Sequence, residues 1–160
     1  MSKEHTYSVT TTWTGNLGAG TAGYKAYARA HEVQGPGKSI AIPCSSDPSF
    51  RGDPTRYNPE ELFVSSLSAC HMLWYLHLCA EAGVVVSAYR DEAKGTLVEQ
   101  PDGGGEFARV TLRPTVTLAD PDHAHLAGEL HARAHALCFI ARSVRCEVAI
   151  EPTFEGAGGP

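Results

Sequence analysis

The chain has 160 residues, 19% of them charged, and a net charge of −5. That length suits one domain with a genuine core and is short for two, so residues 1–160 are expected to form a single domain. A mild acidic balance with no basic arm argues against a nucleic-acid-binding surface. The polar opening MSKEHTYSVTTTW lacks the apolar core of a signal peptide. Five widely spaced cysteines (Cys44, Cys70, Cys79, Cys138, Cys146) without a CxxC suit a reducing compartment better than a disulfide framework. A cytoplasmic protein is expected.

Residues 7–14 (YSVTTTWT) are β-branched and aromatic and read as a strand. The glycine-rich stretch 15–23 lacks the Lys-Ser/Thr ending of a phosphate loop and reads as a turn. Residues 24–33 form a second strand and 39–43 a short third. A Pro/Asp/Ser-rich loop, 44–57, then carries Arg51 and Arg56.

The stretch from Asn58 to Gly83 dominates the chain. Asn58 is an N-cap, Pro59 fits the first turn, and Glu60 and Glu61 oppose the positive end of the helix dipole. Gly83 is placed to end the helix. Leu62, Phe63, Leu67, Leu73, Trp74, Leu76 and Leu78 cover nearly the whole wheel, which predicts burial on every side. The uncharged run 62–80 is long enough to cross a bilayer, but its serines and histidines and the lack of flanking Lys/Arg clusters favour a core helix. Residues 84–100 and 106–118 then pair as a hairpin around PDGGG. Asp120-Pro121-Asp122 starts a second helix with a core stripe of Leu126, Leu130, Leu137 and Ala141. Residues 143–150 close the domain as a strand, and 155–160 form a mobile tail. The order βββ-α-ββ-α-β makes an α+β fold with largely antiparallel sheets.

Two thiols in separate helical regions, Cys70 and Cys138, carry the leading chemistry. A buried cysteine is by default a small apolar residue, and a reactive one must be a thiolate. Cys70 lies about three turns into its helix, beyond reach of the dipole, so a cation must favour the ionised form. Arg51 and Arg56 are nearest in sequence, and Glu60 could hold such a guanidinium by a two-pronged contact. Phe63, Leu67 and Trp74 could collar the thiol. The rival constellation is His131, His135 and Cys138, one helical face suited to a metal. It lacks HExxH or CxxC, and Arg133 and Arg142 lie beside it.

NPEELFVSSLSACHMLWYLHLC, a short-turn hairpin and HALCFIARSV, in this order and spacing, resemble the OsmC-like / organic hydroperoxide resistance family of thiol peroxidases. The resemblance runs from the strand holding Trp13 to near Ile150. It implies an interwoven homodimer with long central helices packed together and active sites at the subunit interface. It further implies a peroxidatic Cys70, a resolving Cys138 that forms a disulfide with it, and Glu60 orienting an activating arginine. In one branch of the family that arginine sits in the first hairpin, whereas residues 15–23 hold none. In the other it precedes the central helix, which fits Arg51, with Arg56 second. No metal, flavin or haem is implied, and the reductant is an external dithiol of lipoyl type. Beside this peroxidase reading stand a binding module for a metal or thiol ligand and a structural dimer whose cysteines merely pack.

Overall fold

The computed structural model describes residues 3–156, which divide into two compact units between Leu62 and Phe63. In the first, β1 (Thr10–Trp13), β2 (His31–Gln34) and β3 (Ile42–Cys44) form an antiparallel sheet in that order. The strands are shorter than the β-branched runs predict. Residues beyond Trp13 instead bind the chain before β2: the Ala28 N–H donates to the Gly15 carbonyl at 2.9 Å, and the Trp13 indole donates to the Ala28 carbonyl at 2.9 Å. Gly15 makes this possible, because a Cβ there would lie 1.9 Å from the Ala28 oxygen. The loop is a closed turn: Asn16 Oδ1 accepts from the N–H groups of Gly18 and Gly20.

Helix α1 (Pro59–Glu81) begins with a reciprocal capping box. The Glu61 N–H donates to Asn58 Oδ1 at 2.8 Å, and the Asn58 N–H donates to the Glu61 carboxylate at 3.0 Å. Gly83, at φ 73°, takes the left-handed conformation that turns the chain beyond the helix.

The second unit is a bent three-stranded ribbon. Each predicted long strand is broken in two: β4 (Val86–Asp91) from β5 (Lys94–Glu99), and β6 (Gly105–Leu112) from β7 (Pro114–Leu118). The closing segment forms β8 (Glu147–Ile150) and β9 (Thr153–Gly156), so Glu155 and Gly156 are strand residues rather than tail; 157–160 lie outside the described residues. One sheet is ordered β4-β7-β9 and the other β5-β6-β8. All three lines of chain therefore cross between sheets, at Glu92–Ala93, at Arg113 and at Glu151–Pro152. The Arg113 N–H donates to Asp91 Oδ1, and its guanidinium donates to Glu151 at 3.0 Å, pinning the crossing. Pro114, with no N–H to give a ladder, starts the new strand. β4–β7 and β5–β6 are antiparallel, while β6–β8 and β7–β9 are parallel.

Helix α2 (Ala124–Leu137) follows a 3-10 turn capped by Asp120. Its buried face is Ala127, Leu130, His131 and Ala134. The predicted leucine stripe is thus wrong apart from Leu130: Leu126 and Leu137 are each 36% exposed, and Ala141 lies beyond the helix. Alanines fill two of the four buried positions, and the longer Leu126 and Leu137 are turned aside.

α1 closes two apolar clusters. Phe63, Val64 and Leu67 meet Phe107, Val110 and Leu112 of β6 and Val148 and Ile150 of β8. Tyr75, Leu78 and Cys79 meet Val116 and Leu118 of β7 and Ala127, Leu130 and Ala134 of α2. Burial on every side does not hold within one chain, since the buried stripe is Leu67, His71, Tyr75, Leu78 and Cys79 and Leu73 is 64% exposed.

Candidate functional site

Cys70 and Cys138 meet in the second unit. The Cys138 thiol sits against that of Cys70, and both are free. Cys138 ends α2 as its C-cap, with its N–H donating to the His135 carbonyl. Its sulfur is buried and accepts from the Ala141 N–H at 3.4 Å. Burial, and then the neighbouring thiol, push the Cys138 pKa up to about 11. Cys70 is only half-buried. It opens onto an apolar groove of about 510 Å³ lined also by Ser66, Leu73, Trp74, His77 and Phe139. Phe139 meets Trp74 edge-on at 5.7 Å, and His77 Nε2 lies 3.5 Å from the Glu81 carboxylate. The volume is that of a small-molecule cleft. A one-sided thiol beside a buried thiol can be oxidised from the groove and then capped from within.

Trp74 lines the groove, whereas Phe63 and Leu67 do not. Leu67 is fully buried and Phe63 stacks on Phe107 at 4.6 Å, so both are core residues. Leu73 and Phe139 supply the apolar walls instead. Leu73 lies three residues after Cys70 on α1, a spacing that could have found it; Phe139 follows the second thiol directly.

The arginines lie in the first unit. Arg51 is exposed at the corner after a 3-10 turn, at φ 67°. Arg56 is half-buried, 3.6 Å from Asp53, and its charge favours ionisation of the buried Cys44 thiol against the larger, opposing effect of burial. Glu60 lies in the first turn of α1 and, among the described residues, makes no ion pair with either arginine, so the two-pronged contact is not formed. The sequence reading did not single out Arg29. Its guanidinium lies 4.1 Å from the Tyr27 ring centre and 4.4 Å from that of Tyr24. One amino group donates to the Tyr27 carbonyl at 2.7 Å, and the other is buried without a protein partner. A lone arginine following two tyrosines, YKAYAR, was the signal available.

His131, His135 and Cys138, the rival constellation, do not form a metal set. Among the described residues no cluster of three or more His, Cys, Asp or Glu is arranged to hold a metal. His131 is turned toward α1, where its Nδ1 lies 2.9 Å from His71 Nε2. Both rings are buried, nearly coplanar, and His131 stacks on Tyr75 at 3.8 Å. Burial first, and then His135, depress the His71 pKa to about 4; burial and His71 depress that of His131 to about 3. Burial likewise raises Tyr75, Tyr89 and Cys79 above their ordinary ranges.

A family model described as OsmC-like protein matches residues 52–153. The fold is similar to that of an OsmC-like protein of unknown function from Vibrio cholerae, 33% identical, with a TM-score of 0.81, over 93% of this chain and 99% of the other. An organic hydroperoxide resistance protein from Elizabethkingia anophelis is 18% identical with a TM-score of 0.68, over 98% of this chain and 99% of the other. A Bacillus subtilis organic hydroperoxide resistance protein is 20% identical with a TM-score of 0.61, over 94% and 98%. At those identities the last two share the fold alone. No curated protein sequence matches significantly.

Proposed function

The chain belongs to the OsmC-like family, and from that premise we propose that it is a cytoplasmic, homodimeric thiol peroxidase that reduces organic hydroperoxides to alcohols. The observation that carries this reading is a pair of free thiols, one facing an apolar groove and the other buried directly behind it.

The Cys70 thiolate attacks the distal oxygen of R–O–O–H. The O–O bond breaks, Cys70 becomes a sulfenic acid, and the alkoxide leaves and takes a proton to become the alcohol. The Cys138 sulfur then attacks the sulfenic sulfur; the disulfide forms, and the hydroxyl leaves with the Cys138 proton as water. Burial, which disfavours ionisation of Cys138, keeps it from competing for peroxide and reserves it for this second step. An external dithiol of lipoyl type exchanges with the disulfide and restores both thiols, with no metal or organic cofactor taking part. Leu73, Trp74 and Phe139 favour a hydroperoxide with an apolar body over hydrogen peroxide. The cation that favours the thiolate is an arginine, with Glu60 as its orienting carboxylate. Arg51 is the first candidate for that role and Arg56, paired with Asp53, the second.

The test is single-turnover oxidation of the reduced protein by cumene hydroperoxide and by hydrogen peroxide, followed by mapping of the disulfide. Consumption of the organic peroxide with a Cys70–Cys138 bond is expected. Cys70→Ser should abolish turnover, while Cys138→Ser should stop at a trappable sulfenic acid. Arg29→Ala, Arg51→Ala and Arg56→Ala compared in the same assay identify the cation. Reduced wild-type protein that leaves cumene hydroperoxide untouched would refute the reading.

A further inference from the structure

Apart from the thiol contact itself, one side-chain hydrogen bond joins α1 (Pro59–Glu81) to α2 (Ala124–Leu137) among the described residues, His71 to His131. His71 follows Cys70 on α1, and His131 lies two turns before Cys138 on α2. The remaining contact is apolar, through Tyr75, Leu78, Ala127, Leu130 and Ala134. Apolar contact is non-directional, so it sets how close two helices lie more than how far one slides along the other. An N–H···N bond between nearly coplanar rings fixes both.

The bond is poorly explained as a source of stability. Whichever ring donates, His71 Nδ1 and His131 Nε2 remain buried with no protein partner. Replacing both members of such a buried pair by apolar groups of similar shape is often neutral or stabilising. A costly polar link where apolar side chains would serve points to alignment.

We propose that His71 and His131 are positioning residues for the thiol pair, their bond setting the register of α1 against α2 that holds the Cys70 and Cys138 sulfurs together. The proposal rests on the peroxidase reading only in taking Cys70 and Cys138 as a redox pair, and it does not depend on peroxide as the oxidant. The consequence is a high equilibrium constant for closing the disulfide. Oxidised dithiothreitol supplies the reaction: the protein disulfide forms, the reagent's S–S bond breaks, and two hydrogens pass to the reagent.

The full chain is equilibrated in mixtures of oxidised and reduced dithiothreitol, with folding followed by circular dichroism and thermal unfolding. In the double variant His71→Leu/His131→Leu the melting temperature should hold or rise, while the equilibrium constant falls at least tenfold. His71→Gln/His131→Asn places an amide nitrogen where Nε2 was and an amide oxygen where Nδ1 was, and should return the constant to within threefold of wild type. A folded leucine pair within threefold of wild type would overturn the proposal. So would a folded Gln/Asn pair tenfold below it, or wild-type protein that forms no Cys70–Cys138 disulfide. If only the Gln/Asn pair folds, its constant decides. If neither variant folds, the histidines are a requirement of the fold and the proposal fails. Wild-type protein that closes the disulfide normally but leaves cumene hydroperoxide untouched would defeat the peroxidase reading and leave this one standing.

Discussion

The two clusters closed by α1 differ in kind. Around Leu67 the interior is apolar throughout, built from Phe63, Phe107, Val110, Leu112, Val148 and Ile150. Around Tyr75 the same helix buries two imidazoles and a phenol, and β4 adds the half-buried Tyr89, whose hydroxyl is also buried without a protein partner. The first region is held by area and shape, which are indifferent to pH. The second contains groups whose charge state is constrained by burial, so its contribution depends on the proton concentration. One helix thus joins an inert support to a region with adjustable chemistry, and the thiols lie on the same two helices as the latter.

Leu67→Ala should have the largest effect on stability, about 2–5 kcal/mol by urea unfolding, since the side chain is fully buried and leaves a cavity. The loss should be equal at pH 7 and pH 5.5; a strong pH dependence would erase the distinction between the clusters. Acid should act through the other region. His71 and His131 have folded-state pKa values depressed to about 4 and about 3, below their ordinary 6.5. Their neutral rings therefore contribute fully above pH 6.5. As pH falls below that, the unfolded chain takes up protons that the folded chain refuses, and stability declines until pH reaches the folded values. Between pH 7 and pH 5 the loss should be roughly 1–2 kcal/mol per histidine. Replacing both by leucine should flatten the curve, and an unchanged slope would show that other groups carry it.

Asn58→Ala should cost about 1 kcal/mol, because it opens the capping box at the head of α1. That cost should be the same at both pH values, since neither cluster is touched. Tyr89→Phe should have the smallest effect, within about 0.5 kcal/mol and favourable in sign, because a buried hydroxyl without a protein partner is removed. A loss of several kcal/mol would show that this hydroxyl is bonded in solution.

α1 was legible because its signals are local: a cap, a first-turn proline, two acids and a terminal glycine lie within one stretch. The thiols were legible through the family pattern in which they sit. The buried face of α2 was not, because leucine spacing points to one stripe while alanines and His131 occupy the inside. His131 is explained by His71, sixty residues earlier, and no local periodicity encodes that meeting. The division of the long strands was hidden for a similar reason. Pro114 marks one break, but Ala93 and Pro152 become crossings only when the three lines of chain are side by side. The seat of Arg29 on Tyr24 and Tyr27 was overlooked because residues 24–33 were read as strand.

The crossing pinned by Asp91, Arg113 and Glu151 has a mechanical consequence. Each line of the ribbon contributes a strand to both sheets, so peeling one sheet away pulls on the covalent continuation of every strand in the other. Amide protons on the central strands β6 and β7 should therefore exchange with solvent in a single cooperative opening, at one common free energy, rather than as two layers that breathe separately.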